Sequence, residues 1–357
     1  MRKSILRQLM LIMSYDISKI PANDMIKKKM EQGLTERRKI GDENNMSIKG
    51  RIMHIMLRYR HLLKGKLKRE VIDKSTSIHQ LRQDSEESAT RLVKVPDGIV
   101  FIKSDYNPLY AEWVVPQGAD ENKIILYFHG GGFVMGNAKS HRGIVSGFVK
   151  HLGIKALVFD YSLAPENPAP AAVNDSVAIY CWLLQQGYKS ENIIFAGDSA
   201  GGGICLATLL KLKDDEIPLP AACVAFSPCV DMTMSGESHR TRVKADPCTP
   251  KGMTETFFDY YVGDGDPKHP YTSPLFGDLA SLPPIMIQVG NDETLRDDSI
   301  MFAEKAKEAG VQVEIKVWKG MFHCFPLLAP MFREATEALN EVCIFIWQKL
   351  NISPKII

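Results

Sequence analysis

No stretch of this 357-residue chain approaches the run of about 18 apolar residues that would mark a membrane span. The apolar stretch from Ile5 to Met13 is broken by Arg7 and Gln8, which also spoils it as a signal-peptide core. No G-x-G-x-x-G and no P-loop occurs, so no nucleotide cofactor is expected. No His/Cys cluster has metal-ligand spacing, so no metal is expected either. The cysteines at 181, 205, 223, 229, 248, 324 and 343 are odd in number and form no C-x-x-C. Most lie in apolar runs and read as reduced core residues of a reducing compartment, not as a disulfide framework. There is no internal repeat and no low-complexity tract. These absences point to a cytoplasmic chain, with peripheral attachment to a membrane left open.

The net charge of +2 hides a strong asymmetry. Residues 1–70 carry 18 Lys/Arg against 7 Asp/Glu, which leaves 26 against 35 for the remainder. Within this basic part, Ile52, Met53, Ile55, Met56, Tyr59, Leu62 and Leu63 alternate with Arg51, His54, Arg58, Arg60, His61 and Lys64. That spacing predicts one basic amphipathic helix over residues 49–67. Three roles compete for it. It can be a cap helix over a site, an anchor on an anionic membrane surface, or a contact for a partner or nucleic acid. The cap is preferred, and nucleic acid is disfavoured because no recognition motif accompanies the charge. Pro21, Gly33 and residues 41–45 predict short, broken helices before it, and the polar residues 75–90 predict a surface loop or linker.

From residue 95 onward, short apolar runs alternate with helical stretches, which predicts an α/β domain with a mostly parallel central sheet flanked by helices. One such run, residues 192–196, meets Gly197-Asp198-Ser199-Ala200-Gly201. G-x-S-x-G places a serine on a sharp strand-to-helix turn. Glycines two before and two after let the backbone close around it without Cβ clashes.

Three other segments give that serine partners. An apolar strand at 124–128 runs into His129-Gly130-Gly131-Gly132, whose backbone N–H groups can aim at a developing oxyanion together with that of Ala200. A second strand, from Pro284, ends in a polar loop with Asp292 at its mouth. A third, over 311–318, leads to His323. Ser199, Asp292 and His323 thus follow strand ends in the order Ser–Asp–His, at the sheet edge where sites form. His323 would take the serine proton and Asp292 would hold the imidazole. Asp297 and Asp298 are rival acids, but they fit better at a helix N-terminus. His129, His141, His151, His239 and His269 are rival bases, and none follows a strand so late in the order.

With these motifs in view, the chain resembles the hormone-sensitive-lipase-like family of α/β hydrolases, in its microbial carboxylesterase branch. The marks are H-G-G-G at 129–132 and G-D-S-A-G-G at 197–202, supported by residues 160–166, 227–233, 292–299 and 320–323. The likeness covers residues 95–350. It implies an α/β-hydrolase fold with Ser199, Asp292 and His323 catalytic and with Gly131, Gly132 and Ala200 as the oxyanion hole. It also implies structural roles for Glu166 and Asp198, and a helical cap built from the N-terminus (1–90) and from an insertion near 231–271 on a catalytic domain of 91–357. Phe257, Phe258, Tyr260 and Tyr261 would be shared between core and acyl-pocket wall. Cys324 departs from the family's aliphatic residue after the histidine and sets an oxidisable thiol beside the site.

The expected activity is a serine carboxylesterase acting through an acyl-enzyme on small esters of short to medium acyl chains, without cofactor. A lactonase, amidase or deacetylase would use the same residues. A membrane- or partner-binding protein with a vestigial site is the alternative outside enzymology. The resemblance also implies homodimerisation through the last strand and helices, which is left open because Phe345, Ile346 and Trp347 fit a core equally well.

Overall fold

The computed structural model describes residues 46–352 apart from 64–66 and 68. The sequence readings on residues 1–45 lie outside the described residues. The basic amphipathic segment forms α1 (Ile48–Arg58), capped by the Ser47 hydroxyl on the Gly50 N–H, and then the short α2 (Arg60–Leu63). One continuous helix is therefore not formed. Tyr59 (φ −106°, ψ 15°) turns the chain, and Arg60 beyond it donates to the carbonyls of Pro247 and Cys248. Apolar Met53, Ile55 and Met56 of α1 are buried.

The expected loop at 75–90 is also corrected, since it is α3 (Ile78–Leu92). Ser77 caps its start by accepting the Gln80 N–H. Only Ile78 and Leu81 among its described side chains pack on the core, so its polar composition masked the helix. Arg82 fixes it instead, donating to the carbonyls of Val134 and Ala164 and pairing with Glu166.

The chain continues as β1 (Ile99–Lys103), β2 (Ala111–Pro116), β3 (Asp120–Phe128), α4 (Ala138–Leu152), β4 (Ile154–Phe159), α5 (Ala171–Gln185), β5 (Ile193–Asp198), α6 (Ala200–Asp214) and β6 (Ala222–Phe226). The insertion then supplies α7 (Ser238–Thr241) and α8 (Met253–Val262). After it come β7 (Ile285–Gly290), α9 (Arg296–Glu308), β8 (Val313–Trp318) and α10 (Arg333–Lys349). The strands form one sheet in the order β1-β2-β4-β3-β5-β6-β7-β8. β1, β2 and β4 pair antiparallel, and every other neighbouring pair is parallel.

Helices cover both faces of the parallel part, which is why β5, β6 and β7 are buried at every position. On one face Phe128 packs on Phe159 and Phe195, and Tyr180 on Phe195. On the other, Phe148, Phe226, Phe345 and Ile346 share a core, so Phe345 and Ile346 are interior residues. Among the described residues no helix is long and apolar enough to cross a membrane. The parallel strands all end at one edge, and the candidate site is built there.

Candidate active site

Ser199 sits between the end of β5 and the start of α6 with φ 55° and ψ −119°, a conformation that strains any residue but glycine. The turn is held by its N–H on the Phe226 carbonyl, 2.8 Å away, at the end of β6. Gly201 permits it, because a Cβ there would lie 2.1 Å from the Phe128 carbonyl oxygen. The result lifts Ser199 Oγ to 2.9 Å from His323 Nε2.

His323 brings the main correction. Its Nδ1 lies 3.1 Å from Glu293 Oε2, so the carboxylate behind the imidazole is Glu293 and not Asp292. Asp292 is pinned by its N–H to the Met321 carbonyl at 2.8 Å, and its carboxylate faces away, 3.7 Å from buried His54 of α1. Glu293, one methylene longer and fully buried, reaches inward instead and also accepts the Ser227 hydroxyl at 3.0 Å. Ser227 in turn accepts the Cys324 N–H at 3.1 Å, which ties the acid loop to the histidine loop.

Sequence reasoning passed over Glu293 although it is the neighbour of Asp292. Both follow the same strand, and only side-chain length separated them. Asp297 and Asp298 do start α9 as expected. Asp297 accepts the Ser238 N–H at 2.7 Å, and buried Asp298 pairs with His239 at 2.6 Å, so both anchor the insertion. His129, His141, His151 and His269 likewise stand apart from Ser199 Oγ.

The electrostatics follow from burial. Burial raises Glu293 above the usual glutamate range, and the hydrogen bond from His323 pulls against it. His323 is disfavoured as a cation by burial, yet Cys324 and Glu293 together raise it well above 6.5. Burial pushes the Cys324 thiol up to about 11.

The glycine loop stands opposite. Gly131 (φ 133°) and Gly132 (φ 62°) lie in the left-handed half of backbone space. Among the described residues the N–H groups of Gly131, Gly132 and Ala200 make no hydrogen bond. Asp198 holds the loop in place. Its Oδ1 accepts the Gly130 N–H at 3.1 Å and the Tyr127 hydroxyl at 2.8 Å. His129 lies flat on Tyr161, with ring centroids 4.1 Å apart, and burial lowers it to about 3. It is a neutral packing residue and not a proton carrier.

A cleft of about 230 Å³ opens on Ser199, walled by Met253, Phe257 and Phe258 of α8 and by Leu295. Tyr261 is turned away and stacks on Phe133 at 3.7 Å, and Tyr260 reaches the Lys74 carbonyl. Only the two phenylalanines of the four expected aromatics form pocket wall. A roomier groove of about 760 Å³ runs along β1 and β2, past Trp113, Trp182 and Tyr188, and touches none of these groups.

Residues 125–327 match the family model described as alpha/beta hydrolase fold. The chain belongs to that family. An acetyl-hydrolase of Streptomyces hygroscopicus is 39% identical over 236 residues, 66% of this chain and 79% of its own length. Human hormone-sensitive lipase is 31% identical over 186 residues, 51% of this chain and 16% of the lipase. The crystal structure of an esterase from the bacterial hormone-sensitive lipase family superposes with a TM-score of 0.78 at 36% identity, covering 85% of this chain and 99% of the esterase. The α/β-hydrolase fold and the hormone-sensitive-lipase-like branch are thus those of this chain.

Proposed function

We propose that this chain, an ester-hydrolysing member of its family, cleaves carboxylic esters of short to medium acyl chains through an acyl-enzyme on Ser199. The observation that carries the reading is the relay Ser199 Oγ–His323–Glu293 set beside the glycine loop and the start of α6. In the first step His323 Nε2 takes the serine proton as Oγ adds to the ester carbonyl. The N–H groups of Gly131, Gly132 and Ala200 receive the oxyanion, and Glu293 stabilises the imidazolium. The tetrahedral intermediate then collapses, the C–O bond to the alcohol breaks, and His323 protonates the leaving oxygen. A water deprotonated by the same histidine releases the acid and restores Ser199. The floor of Phe257 and Phe258 favours short acyl groups.

The raised His323 sets a pH dependence. Only the neutral imidazole can accept the serine proton, so a raised value moves the acidic limb of kcat/KM to higher pH. A single-proton limb with its midpoint above 6.5 is expected for p-nitrophenyl acetate. A midpoint at or below that value would contradict the site's electrostatics.

The direct test pairs hydrolysis of p-nitrophenyl esters from C2 to C12 with labelling by a fluorophosphonate. Turnover peaking at short chains is expected, with the phosphonyl adduct on Ser199 by peptide mass spectrometry and no adduct on Ser199→Ala. A folded wild-type chain that takes no label on Ser199 would sink the proposal.

A further inference from the structure

Residues 247–250 of the insertion have the catalytic cleft on one side and a small notch of about 30 Å³ on the other, and Thr249 lines both. The notch is walled by Arg58, Arg60, His61 and Arg69, with Glu70 as its single carboxylate. Arg60 is already fixed there by the Pro247 and Cys248 carbonyls. Arg69 Nη2 is 3.4 Å from the Arg58 carbonyl. Among the described residues none of these three arginines forms an ion pair. Burial and the charges of Arg58 and Arg60 both lower Arg69 from its ordinary value, which reports how closely the guanidiniums crowd.

Elsewhere on this surface arginines are paired, as Arg82 is with Glu166, Arg142 with Glu112 and Arg296 with Asp297. A solvated basic face would let such long side chains diverge into water. Here they line one concavity, and Arg60 and Arg69 are held by backbone carbonyls. Guanidinium groups carry five donors in a planar fork that matches the oxygens of a tetrahedral oxyanion.

We propose that the notch formed by Arg58, Arg60 and Arg69 binds a phosphoryl group, carried by a lipid headgroup or by a soluble phosphorylated molecule. A bound phosphate neutralises the three converging charges and spans the junction of α1, α2 and the insertion loop. The site is separate from the hydrolytic chemistry and is read by binding, so its failure and that of the esterase reading are distinguishable.

The test is calorimetric titration of the full chain with inorganic phosphate at constant ionic strength. The wild type is compared with Arg58→Gln/Arg69→Gln and with a charge-matched control, Lys189→Gln/Arg240→Gln, on exposed positions elsewhere. Saturable binding to the wild type and the control, weakened at least tenfold in the notch variant, is expected. Should the double variant not fold, Arg58→Gln alone serves, because its side chain makes no hydrogen bond among the described residues, and a several-fold weakening is then expected. No saturable binding to the wild type overturns the proposal. Equal weakening in the control, or unchanged binding in the notch variant, overturns it too. Co-sedimentation with phosphatidylcholine vesicles, with and without phosphatidic acid, separates the sources. Pelleting that needs phosphatidic acid and is displaced by phosphate assigns a lipid headgroup. Phosphate binding without pelleting assigns a soluble ligand.

Discussion

Glu293→Gln is expected to lower kcat on p-nitrophenyl acetate by about three to four orders of magnitude, while Asp292→Asn stays within about tenfold of wild type. The two carboxylates are neighbours in the chain but lie on opposite sides of the loop. Glu293 Oε2 receives His323 Nδ1 and the Ser227 hydroxyl together. With an amide there, a donor faces Nδ1–H, or the ring adopts the other tautomer, whose protonated Nε2 cannot accept the serine proton. The imidazolium of the transition state also loses the carboxylate beside Nδ1. KM should change little, since neither group walls the acyl cleft. Asp292 faces His54 and acts on the loop's docking, so its loss should appear mainly in the unfolding midpoint. Kinetics and thermal unfolding of both variants decide the matter. A collapse of kcat in Asp292→Asn with Glu293→Gln near normal would return the acid to the residue expected from sequence.

Gly132→Ala is the second large effect, expected to reduce kcat by about two to three orders of magnitude, the range seen when an oxyanion donor is lost. A methyl group there would lie 2.3 Å from Phe257 Cδ2, and the φ of 62° already disfavours a side chain. Phe257 is 1% exposed within the α8 core and cannot yield without opening it, so the glycine loop must move instead. A displaced loop no longer aims its N–H groups at the oxyanion. The companion Gly132→Ala/Phe257→Ala removes the overlap and should regain part of the lost kcat. What stays lost is the backbone strain, of about 1–3 kcal/mol. If the single variant keeps wild-type kcat, the loop's backbone is not the oxyanion donor.

The sheet and the serine turn were legible because they are written in local terms. Residues 193–196 are apolar throughout since β5 is covered on both faces, and the glycines flanking Ser199 answer steric demands made within a few residues. His323 was legible for a related reason, being a lone imidazole just past the last strand. The acid was not. Asp292 and Glu293 present the same chemistry at the same strand end, and the choice depends on which one turns towards Ser227, a residue 66 positions away. α3 escaped for another reason. Its register is set by Arg82 gripping the Val134 and Ala164 carbonyls, a contact with no hydrophobic period to announce it. The break at Tyr59 has the same origin, in Arg60's attachment to the insertion.

The stretch 246–250 has a bearing on how such enzymes can be recombined. Asp246 accepts the N–H groups of Cys248, Thr249 and Thr294, the last in the loop of the acid. Arg60 clasps the carbonyls of Pro247 and Cys248 from the other side, and the Cys248 thiol sits 3.9 Å from the His323 carbonyl. Parts far apart in the gene, around codons 60, 246 and 294, are therefore mutually fitted. A chimera whose crossover falls between the N-terminal helices and the insertion would inherit mismatched halves of this clasp. Substrate preference moved between relatives by grafting should travel with both segments at once.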